Sequence, residues 1–379
     1  MHRPDIFRSI ISWMIAGMMI CQQAFGLVSI DDGKNRLFVN ASASYTWDSN
    51  IYSSRGGAGD GIYSASLGVD IARRAGLIAV NASAYIDASS FITNTGENFL
   101  NPRFNVEFTK QSGRTTGSLV LSAARQSRAD SAANLRNESW AYEAGLSLKY
   151  PVIERYSLAG SFGYALRDFK DNTTLVDLAT YSASLDLFYI YNTERDIIAG
   201  YRVRYGETSS DNSYYDHAFT VGLSGKILPK LSGSVRVGYQ IRQPSNSLDE
   251  SHNSLTVTSG VSWNLSKKTK VALNVSKDFT TTSTNATVDA STIALNIQRA
   301  INSKINAYAG GAYGINRFLG LNGGGRRDEF VTFDAGVNYA ILSELLTLGA
   351  SYSYMYNWSN FSFSNFERNS FTFSASSRF

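Results

Sequence analysis

Residues 346–356 read Leu-Thr-Leu-Gly-Ala-Ser-Tyr-Ser-Tyr-Met-Tyr, and this stretch shows the pattern that decides the fold. Every second residue in it is apolar or aromatic, and most of the residues between are small or polar. A period of two over about ten residues is typical of a β-strand that has one apolar face and one wet face. The stretch therefore predicts a strand and not a helix.

The same alternation continues along the chain from about residue 36 onward. In residues 235–242, four apolar residues at odd positions alternate with Arg236, Gly238, Gln240 and Arg242. Counting the alternating segments gives about eighteen strands, with 16–18 as the range that such a count allows. The predicted strands begin near residues 37, 62, 77, 99, 115, 139, 156, 177, 196, 214, 231, 253, 269, 288, 304, 329, 345 and 368.

The connections between these strands alternate in length. Short links such as 73–76 and 228–230 take turns with longer polar segments such as 126–138 and 317–328. Barrels of the bacterial outer membrane have short periplasmic turns and longer extracellular loops. We therefore predict an all-β fold, a single closed antiparallel transmembrane β-barrel that occupies residues 27–379.

The first 26 residues have the three parts of a secretory signal peptide. Arg3 and Arg8 are basic, residues 10–20 form a short apolar core, and small residues precede the expected cleavage after Gly26. The only cysteine, Cys21, lies within this segment. We predict export, insertion into the bacterial outer membrane and contact with its lipid.

Composition argues against several classes of function. The chain is 17% charged with a formal net charge of +4, a balance too mild to indicate a nucleic-acid partner. It has three histidines and, after cleavage, no cysteine, so no zinc site with cysteine and histidine ligands is expected. His217 and His252 stand near predicted loops without a catalytic motif around them. We predict no catalytic residue, no cofactor, no metal site and no enzymatic activity.

The last strand carries a signature at its end. In residues 371–379, apolar residues Phe371, Phe373 and Ala375 alternate toward a terminal Phe379. This ending resembles the C-terminal signal of bacterial outer-membrane barrels. The resemblance implies that Phe371, Phe373 and Phe379 are recognised by the barrel-assembly machinery.

A second resemblance lies near the other end of the chain. Residues 45–52 read Tyr-Thr-Trp-Asp-Ser-Asn-Ile-Tyr, which is similar to the first-strand segment of the "putative β-barrel porin 2" family, whose members are associated with exopolysaccharide gene clusters. The literal match is short, although the strand pattern covers the whole mature chain. The resemblance implies a pore or an export-associated barrel and names no substrate.

The inward faces of the predicted strands carry the ionisable residues: Asp70, Asp87, Arg103, Glu107, Glu143, Lys149, Arg167, Asp186, Arg202, Arg204, Arg236, Arg242, Asp334 and Arg378. Four arginines, 202, 204, 236 and 242, lie on strands that are near neighbours, and they are the candidate pore-lining residues. They form either a basic ladder that steers anionic solutes or acidic glycans, or salt bridges with Asp186, Glu143 and similar acids that stiffen the wall. Residues 126–138 and 317–328 are the longest loops that could fold into the lumen.

Two classes of function remain open. The first is a porin-like pore for small hydrophilic solutes, or a barrel that assists exopolysaccharide export. The alternative is a structural or surface-interaction barrel with a closed lumen that acts through its extracellular loops. A secreted β-sandwich or β-helix is disfavoured, because neither fold accounts for a phenylalanine, Phe379, at the end of the last strand. The solute, the oligomeric state and the gene neighbours stay undecided.

Overall fold

A computed structural model describes residues 28–30, 35–170, 174–245, 250–320, 324–342 and 345–379. The signal peptide predicted at residues 1–26 lies outside the described residues. Within them no helix is long and apolar enough to cross a membrane. The two short 3₁₀ helices span Thr95–Glu97 and Ser362–Ser364.

In this part of the chain nineteen strands form one sheet. The strands are β1 (Val28–Ile30), β2 (Asn35–Asp48), β3 (Asp60–Ala75), β4 (Ile78–Phe91), β5 (Phe99–Lys110), β6 (Thr116–Asp130), β7 (Leu135–Ile153), β8 (Tyr156–Phe169), β9 (Leu178–Asn192), β10 (Arg195–Thr208), β11 (Ser213–Leu228), β12 (Leu231–Pro244), β13 (His252–Asn264), β14 (Thr269–Thr281), β15 (Thr287–Ala300), β16 (Ile305–Leu319), β17 (Arg327–Leu342), β18 (Leu346–Ser359) and β19 (Phe366–Arg378).

Eighteen of these strands, β2 to β19, close into an antiparallel barrel, as the alternation predicts. Each pairs with the next along the chain, and β19 returns to pair with β2. At the end of this closing seam, the backbone N–H groups of Val39 and Phe379 each donate to the carbonyl of the other at 2.8 Å. The short β1 pairs with the beginning of β2, beyond the point where the chain ends.

Most predicted strand starts lie within two residues of the observed ones. The largest difference is at β7, predicted near residue 139, which begins at Leu135. The long loop predicted at 126–138 is wrong, because β6 continues to Asp130 and β7 already begins at Leu135. The two strands pair with each other beyond the wall of the barrel, where the sequence reasoning expected irregular polar chain.

The connections define the two ends of the barrel. We call the end with the connections after β3, β5, β7, β9, β11, β13, β15 and β17 the turn rim. The other end, with the connections after the even-numbered strands, is the loop rim. Both chain termini of the barrel lie at the turn rim, as an even number of strands requires.

The outer surface is apolar and exposed. Large side chains such as Leu185, Val221, Leu255 and Phe373 have more than half of their surface exposed, at 52%, 60%, 63% and 62%. A soluble protein rarely exposes so much contiguous apolar surface, whereas a lipid-facing barrel requires it. The polar members of each alternating pair therefore face the lumen.

Buried apolar side chains are concentrated near the loop rim. Ile51, Phe91, Phe169, Phe279 and Phe366 are all almost completely covered, and each lies in a loop or at the loop-rim end of a strand. Such packing in an otherwise hollow barrel indicates that loop-rim segments fold inward.

Candidate functional site

The β6–β7 hairpin leaves the barrel wall near the loop rim. Pairing between β5 and β6 ends at Arg103 and Ala124, and pairing between β7 and β8 ends at Ser139 and Phe169. The hairpin nevertheless continues to pair with itself as far as Asp130 and Leu135. Residues 125–138, which we call the first hairpin, thus extend beyond the strand pairing with β5 and β8 and turn into the lumen.

Contacts with several loops hold the first hairpin in place. The Arg136 guanidinium donates to the Glu97 carboxylate at 3.1 Å and to the carbonyl of Ile51 at 3.3 Å. The Asn134 side chain donates to the carbonyl of Ser53 at 3.1 Å and accepts from Ser364 Oγ at 3.0 Å. These bonds tie the hairpin to the loops after β2, β4 and β18.

The Tyr52 phenol lies in the same group of loops. Burial, and then the nearby Glu97 carboxylate, raises the pKa of Tyr52 above its ordinary value. The phenol therefore stays neutral beside the carboxylate.

A second segment turns inward on the other side of the barrel. Pairing between β13 and β14 ends at Val257 and Lys277, whereas β14 and β15 stay paired up to Thr281 and Thr287. Residues 278–288, which we call the second hairpin, part from β13 and lean across the inner face of β10 to β12. Arg204 and Arg242 on that face donate to the backbone carbonyls of Phe279 and Thr280, at 2.7 and 3.0 Å.

The two hairpins meet inside the lumen. Ser283 Oγ donates to Asp130 Oδ2 at 2.7 Å. Ala132 packs against a small apolar cluster of Ala286, Val288 and Phe318. Because β6–β7 and β14–β15 lie half a turn apart in the strand order, this contact bridges the lumen. Residues 126–138 thus fold into the lumen, as was considered from the sequence.

Arg326, from the loop after β16, strengthens the contact. Its guanidinium donates to the carbonyls of Ala132 at 2.9 Å and Ser131 at 3.1 Å, and it also pairs with Asp328. Arg326 belongs to the second candidate inward loop, residues 317–328, of which residues 321–323 lie outside the described residues.

Three of the four predicted arginines form one cluster under the second hairpin. Arg242 is fully buried and makes two bonds to the Asp216 carboxylate, at 2.7 and 2.8 Å. Arg204 pairs with Asp216 at 2.6 Å and with Asp278 at 3.4 Å, and Arg202 pairs with Asp278 at 2.9 Å. The guanidinium of Arg242 also lies 3.7 Å from the centre of the Tyr214 ring.

The fourth arginine lies deeper in the lumen. Arg236 pairs with Asp186 at 2.8 Å, the acid that the sequence reasoning named. Glu143, the other acid named, makes no ion pair with these arginines among the described residues. All four arginines face inward and each has an acid partner, which is the geometry of the salt-bridge hypothesis. Their role in steering solutes stays a prediction.

Sequence reasoning missed Asp216 and Asp278 as the partners of the cluster, and it missed Gln240 beside them. Gln240 is fully buried, and its side-chain amide has no hydrogen-bond partner among the described residues. The His217 ring faces outward and shares a 2.8 Å hydrogen bond with the Tyr201 hydroxyl.

One signal in the sequence could have located both hairpins. Arg125 and Glu138 on the first hairpin, and Lys277 and Asp289 at the root of the second, occupy positions where the alternation predicts lipid-facing apolar residues. Each pair forms an ion pair, which is 2.6 Å long for Lys277 and Asp289. Charges at lipid-facing positions are unfavourable inside the bilayer, so they mark where a strand leaves the wall.

The aromatic residues of the last strand have a structural setting as well. Phe371 and Phe373 face outward, and the Phe371 ring lies 4.7 Å from that of Tyr352 and 6.1 Å from that of Trp47. Phe379 closes the seam through its backbone. Recognition of these three residues by the assembly machinery stays a prediction.

No group of three or more histidine, cysteine, aspartate and glutamate side chains in the described ranges is arranged to hold a metal ion.

Comparison with known proteins agrees with this architecture. The model of the family described as "Putative beta-barrel porin 2" matches residues 216–379, which confirms the resemblance predicted from the sequence. The fold is that of a porin-like outer-membrane β-barrel. A comparison of the sequence with curated proteins finds no match.

Solved structures of Pseudomonas aeruginosa barrels superpose on most of the chain. OpdK, in a structure with vanillate, is 12% identical with a TM-score of 0.50, and the match covers 90% of this chain and 99% of OpdK. OccK2 (OpdF) is 11% identical with a TM-score of 0.51, and the match covers 93% of this chain and 99% of OccK2. A structure of OccK2 in complex with glucuronate matches with a TM-score of 0.50 and 12% identity, covering 93% of this chain and 98% of OccK2. At these identities the likeness shows the fold alone.

Proposed function

We propose that this porin-like barrel is a pore for small hydrophilic solutes, and that the two inward hairpins gate its loop-rim mouth. The observation that carries the proposal is the contact between Asp130 and Ser283, which joins opposite walls of the lumen. A closed-lumen barrel that acts through its loops is the alternative.

The lining of the lumen supports a water-filled path. Inward positions on neighbouring strands carry serine pairs whose hydroxyl groups bond to each other, such as Ser64 with Ser89 at 2.8 Å and Ser161 with Ser184 at 2.7 Å. Barrels of about 16–18 strands leave an aqueous channel unless a segment fills it. In the described part of this chain, the segments that enter the lumen do so at the loop rim.

The hairpins are anchored more strongly at their roots than at their tips. The second hairpin rests on the buried Arg242, which donates to the carbonyl of Thr280, whereas the two tips share one hydroxyl bond and the apolar cluster around Ala132. The acceptor of this hydroxyl bond is a carboxylate, and a hydrogen bond to a charged group contributes about 1.5–3 kcal/mol. The two Arg326 bonds go to the first hairpin and need not break when Ser283 leaves Asp130, so the tips part at a cost on the order of a few kcal/mol, which allows a minor open state.

A reversible cross-link tests the gate. Asp130→Cys and Ser283→Cys together place two thiols at the tip contact, in a mature chain from which the predicted cleavage removes the only natural cysteine, Cys21. After oxidation we expect the single-channel current in a planar bilayer to fall to a small fraction, and dithiothreitol should restore it. The two single variants should not respond to dithiothreitol.

A matched cross-link controls for the disulfide itself. Ser64→Cys with Ser89→Cys joins two neighbouring strands on the luminal face without crossing the lumen. Its current should be the same in the oxidised and reduced states. If the oxidised Asp130–Ser283 pair also conducts normally, the hairpins are not a gate. Silence in both states, from a folded barrel, favours the closed-lumen alternative.

Assistance in exopolysaccharide export is a wider form of the same proposal. The support for it is the family pattern over residues 216–379, since the resemblance implies barrels associated with exopolysaccharide clusters. Acidic oligosaccharides added to the conducting channel distinguish the two forms. Block of the current supports polysaccharide handling, and an unaffected current leaves a pore for small solutes.

A further inference from the structure

A recess at the turn rim is lined by cationic side chains. It lies between the turn after β13 and the turn after β15 and has a volume of about 520 Å³. Lys267, Lys268, Lys270 and Arg299 line it, and we call these residues and the space between them the cationic recess. Among the described residues that line it there is no aspartate or glutamate.

The four cations of the recess differ from the luminal arginines in their partners. Within the described ranges, none of the four makes an ion pair, and Lys268 reaches only the backbone carbonyl of Ile301 at 3.5 Å. All four side chains are exposed to solvent. Four like charges in one recess, without a neutralising acid, create a positive potential that attracts an anion.

Neutral polar groups complete the lining. The side chains of Gln298, Asn306 and Asn338 and the hydroxyl of Tyr308 border the recess, and all four residues occupy inward positions of their strands. Amide and phenol groups donate hydrogen bonds to carboxylate, phosphate and hydroxyl oxygens. Because these groups and Lys270 face the lumen, the recess is open to a solute in the channel, and Arg299, at an outward position of β15, lies at its edge.

We propose that the cationic recess is a binding site at the turn-rim mouth for small solutes that carry carboxylate or phosphate groups. The inference adds a solute class to the proposed pore. Binding at the mouth does not require the loop-rim gate to open. A binding measurement on the folded barrel therefore tests the site even if the channel proves silent.

Equilibrium titration with pyrophosphate and with citrate tests the site. The mature barrel, folded in phosphatidylcholine nanodiscs at low salt, is compared with a variant that combines Lys267→Gln, Lys268→Gln, Lys270→Gln and Arg299→Gln. Loss of four nearby charges should weaken binding by at least about tenfold. Binding to the unaltered barrel should weaken as salt is raised, because the charges are exposed.

A matched variant removes the same charge elsewhere on the turn rim. Arg73→Gln, Arg74→Gln, Arg155→Gln and Lys230→Gln lie at other turns, are exposed and do not line the recess. This variant should keep its affinity within about twofold. Equal losses in the two variants would mean that the rim attracts anions as a whole, and the site would be abandoned. A slower or heat-insensitive band on an unboiled gel would identify a variant that fails to fold, in which case the single change Lys270→Gln replaces it.

A lipid headgroup also carries a phosphate, so a separate experiment must distinguish a bound lipid from a free solute. The titrations are repeated in nanodiscs that contain phosphatidylglycerol. Unchanged pyrophosphate binding supports a site for free solutes. Complete competition by the anionic lipid would overturn the proposal and assign the recess to a headgroup.

Discussion

The two ends of the barrel use the same charged residue types in opposite ways. Near the loop rim, Arg242 and Asp216 are removed from water and bonded to each other, and Arg326 and Arg368 each pair with an aspartate. Near the turn rim, Lys and Arg outnumber the acids and remain in water. The ion pair found there in the described residues, Lys226 with Glu194, leaves about half of both side chains exposed.

The difference lies in what covers the charges. At the loop rim the inward hairpins exclude water, so an unpaired charge would be very costly, and the buried cations Arg242 and Arg326 each have an acid partner. At the turn rim the short connections cover nothing, and water and salt screen the cations. Charged residues at the loop rim therefore stabilise the fold, whereas those at the turn rim remain accessible to a solute. One deletion and three substitutions, ordered by expected effect, test this contrast.

Deletion of Phe379 should have the largest effect. The turn-rim half has few side-chain bonds, so its closure depends on the backbone pairing of Phe379 with Val39. We expect almost complete loss of folded protein from the outer-membrane fraction, measured as the heat-modifiable band on a gel. Ser374→Ala on the luminal face of the same strand is the control. A normal yield of the deletion variant would contradict both the seam argument and the predicted assembly signal.

Arg242→Ala should destabilise the loop-rim half strongly. The change leaves the Asp216 carboxylate buried with only Arg204 as a partner, and loss of one member of a buried pair costs about 3–5 kcal/mol. Denaturant titration of the barrel in lipid vesicles measures the free energy of unfolding. Arg236→Ala, whose ion pair is partly exposed, should cost about 1 kcal/mol or less. Equal losses would show that burial by the second hairpin is not what separates the two sites.

Leu348→Arg tests the apolar belt between the two rims. Leu348 faces outward with 41% of its surface exposed and is the third residue of β18 from the turn rim, so an arginine there should cost about 1–2 kcal/mol, less than the roughly 2–4 kcal/mol at the bilayer midplane. Ser351→Arg, three residues along the same strand, points into the lumen and should be tolerated. The same titration in lipid vesicles checks both. Similar costs would mean that the assignment of the two faces is wrong.

Lys226→Ala should have the smallest effect. Its pair with Glu194 is exposed at the turn rim, so its loss should change the free energy of unfolding by less than about 0.5 kcal/mol. A cost near that of Arg242→Ala would remove the distinction between the two rims.

The alternation of side chains made most of the fold predictable. It separated the two faces of each strand, so the inward direction of Arg202, Arg204, Arg236 and Arg242 followed without any structure. It also located the strand starts, because a change of period or a polar cluster interrupts the pattern. The even count of strands predicted that both ends of the barrel lie at the same rim.

The folding of the two hairpins was not predictable from the same pattern. When two strands pair with each other, their apolar and polar residues alternate in the same way whether the pair is part of the barrel wall or extends beyond it. Phe279 shows the result: its position in β14 predicts exposure to lipid, yet it is fully buried because its segment rests on the inner wall beside Arg242. Arg204 and Asp278 are 74 residues apart in sequence and meet only through that fold.

The closing seam bears on how accurately the barrel assembles. Residues 41–44 and 374–377 pair along it, and all eight are serine or alanine. A shift of two residues would keep each face on its proper side and exchange one small side chain for another, so this part of the seam hardly distinguishes the correct register from a wrong one. The distinction falls to its two ends, where the Trp47 and Phe371 rings meet and where Phe379 pairs with Val39. The fidelity of closure thus depends on a few residues at the ends of the seam. If they fail to select the register, the barrel closes with β19 and β2 shifted by two residues, although every side chain still faces its proper side.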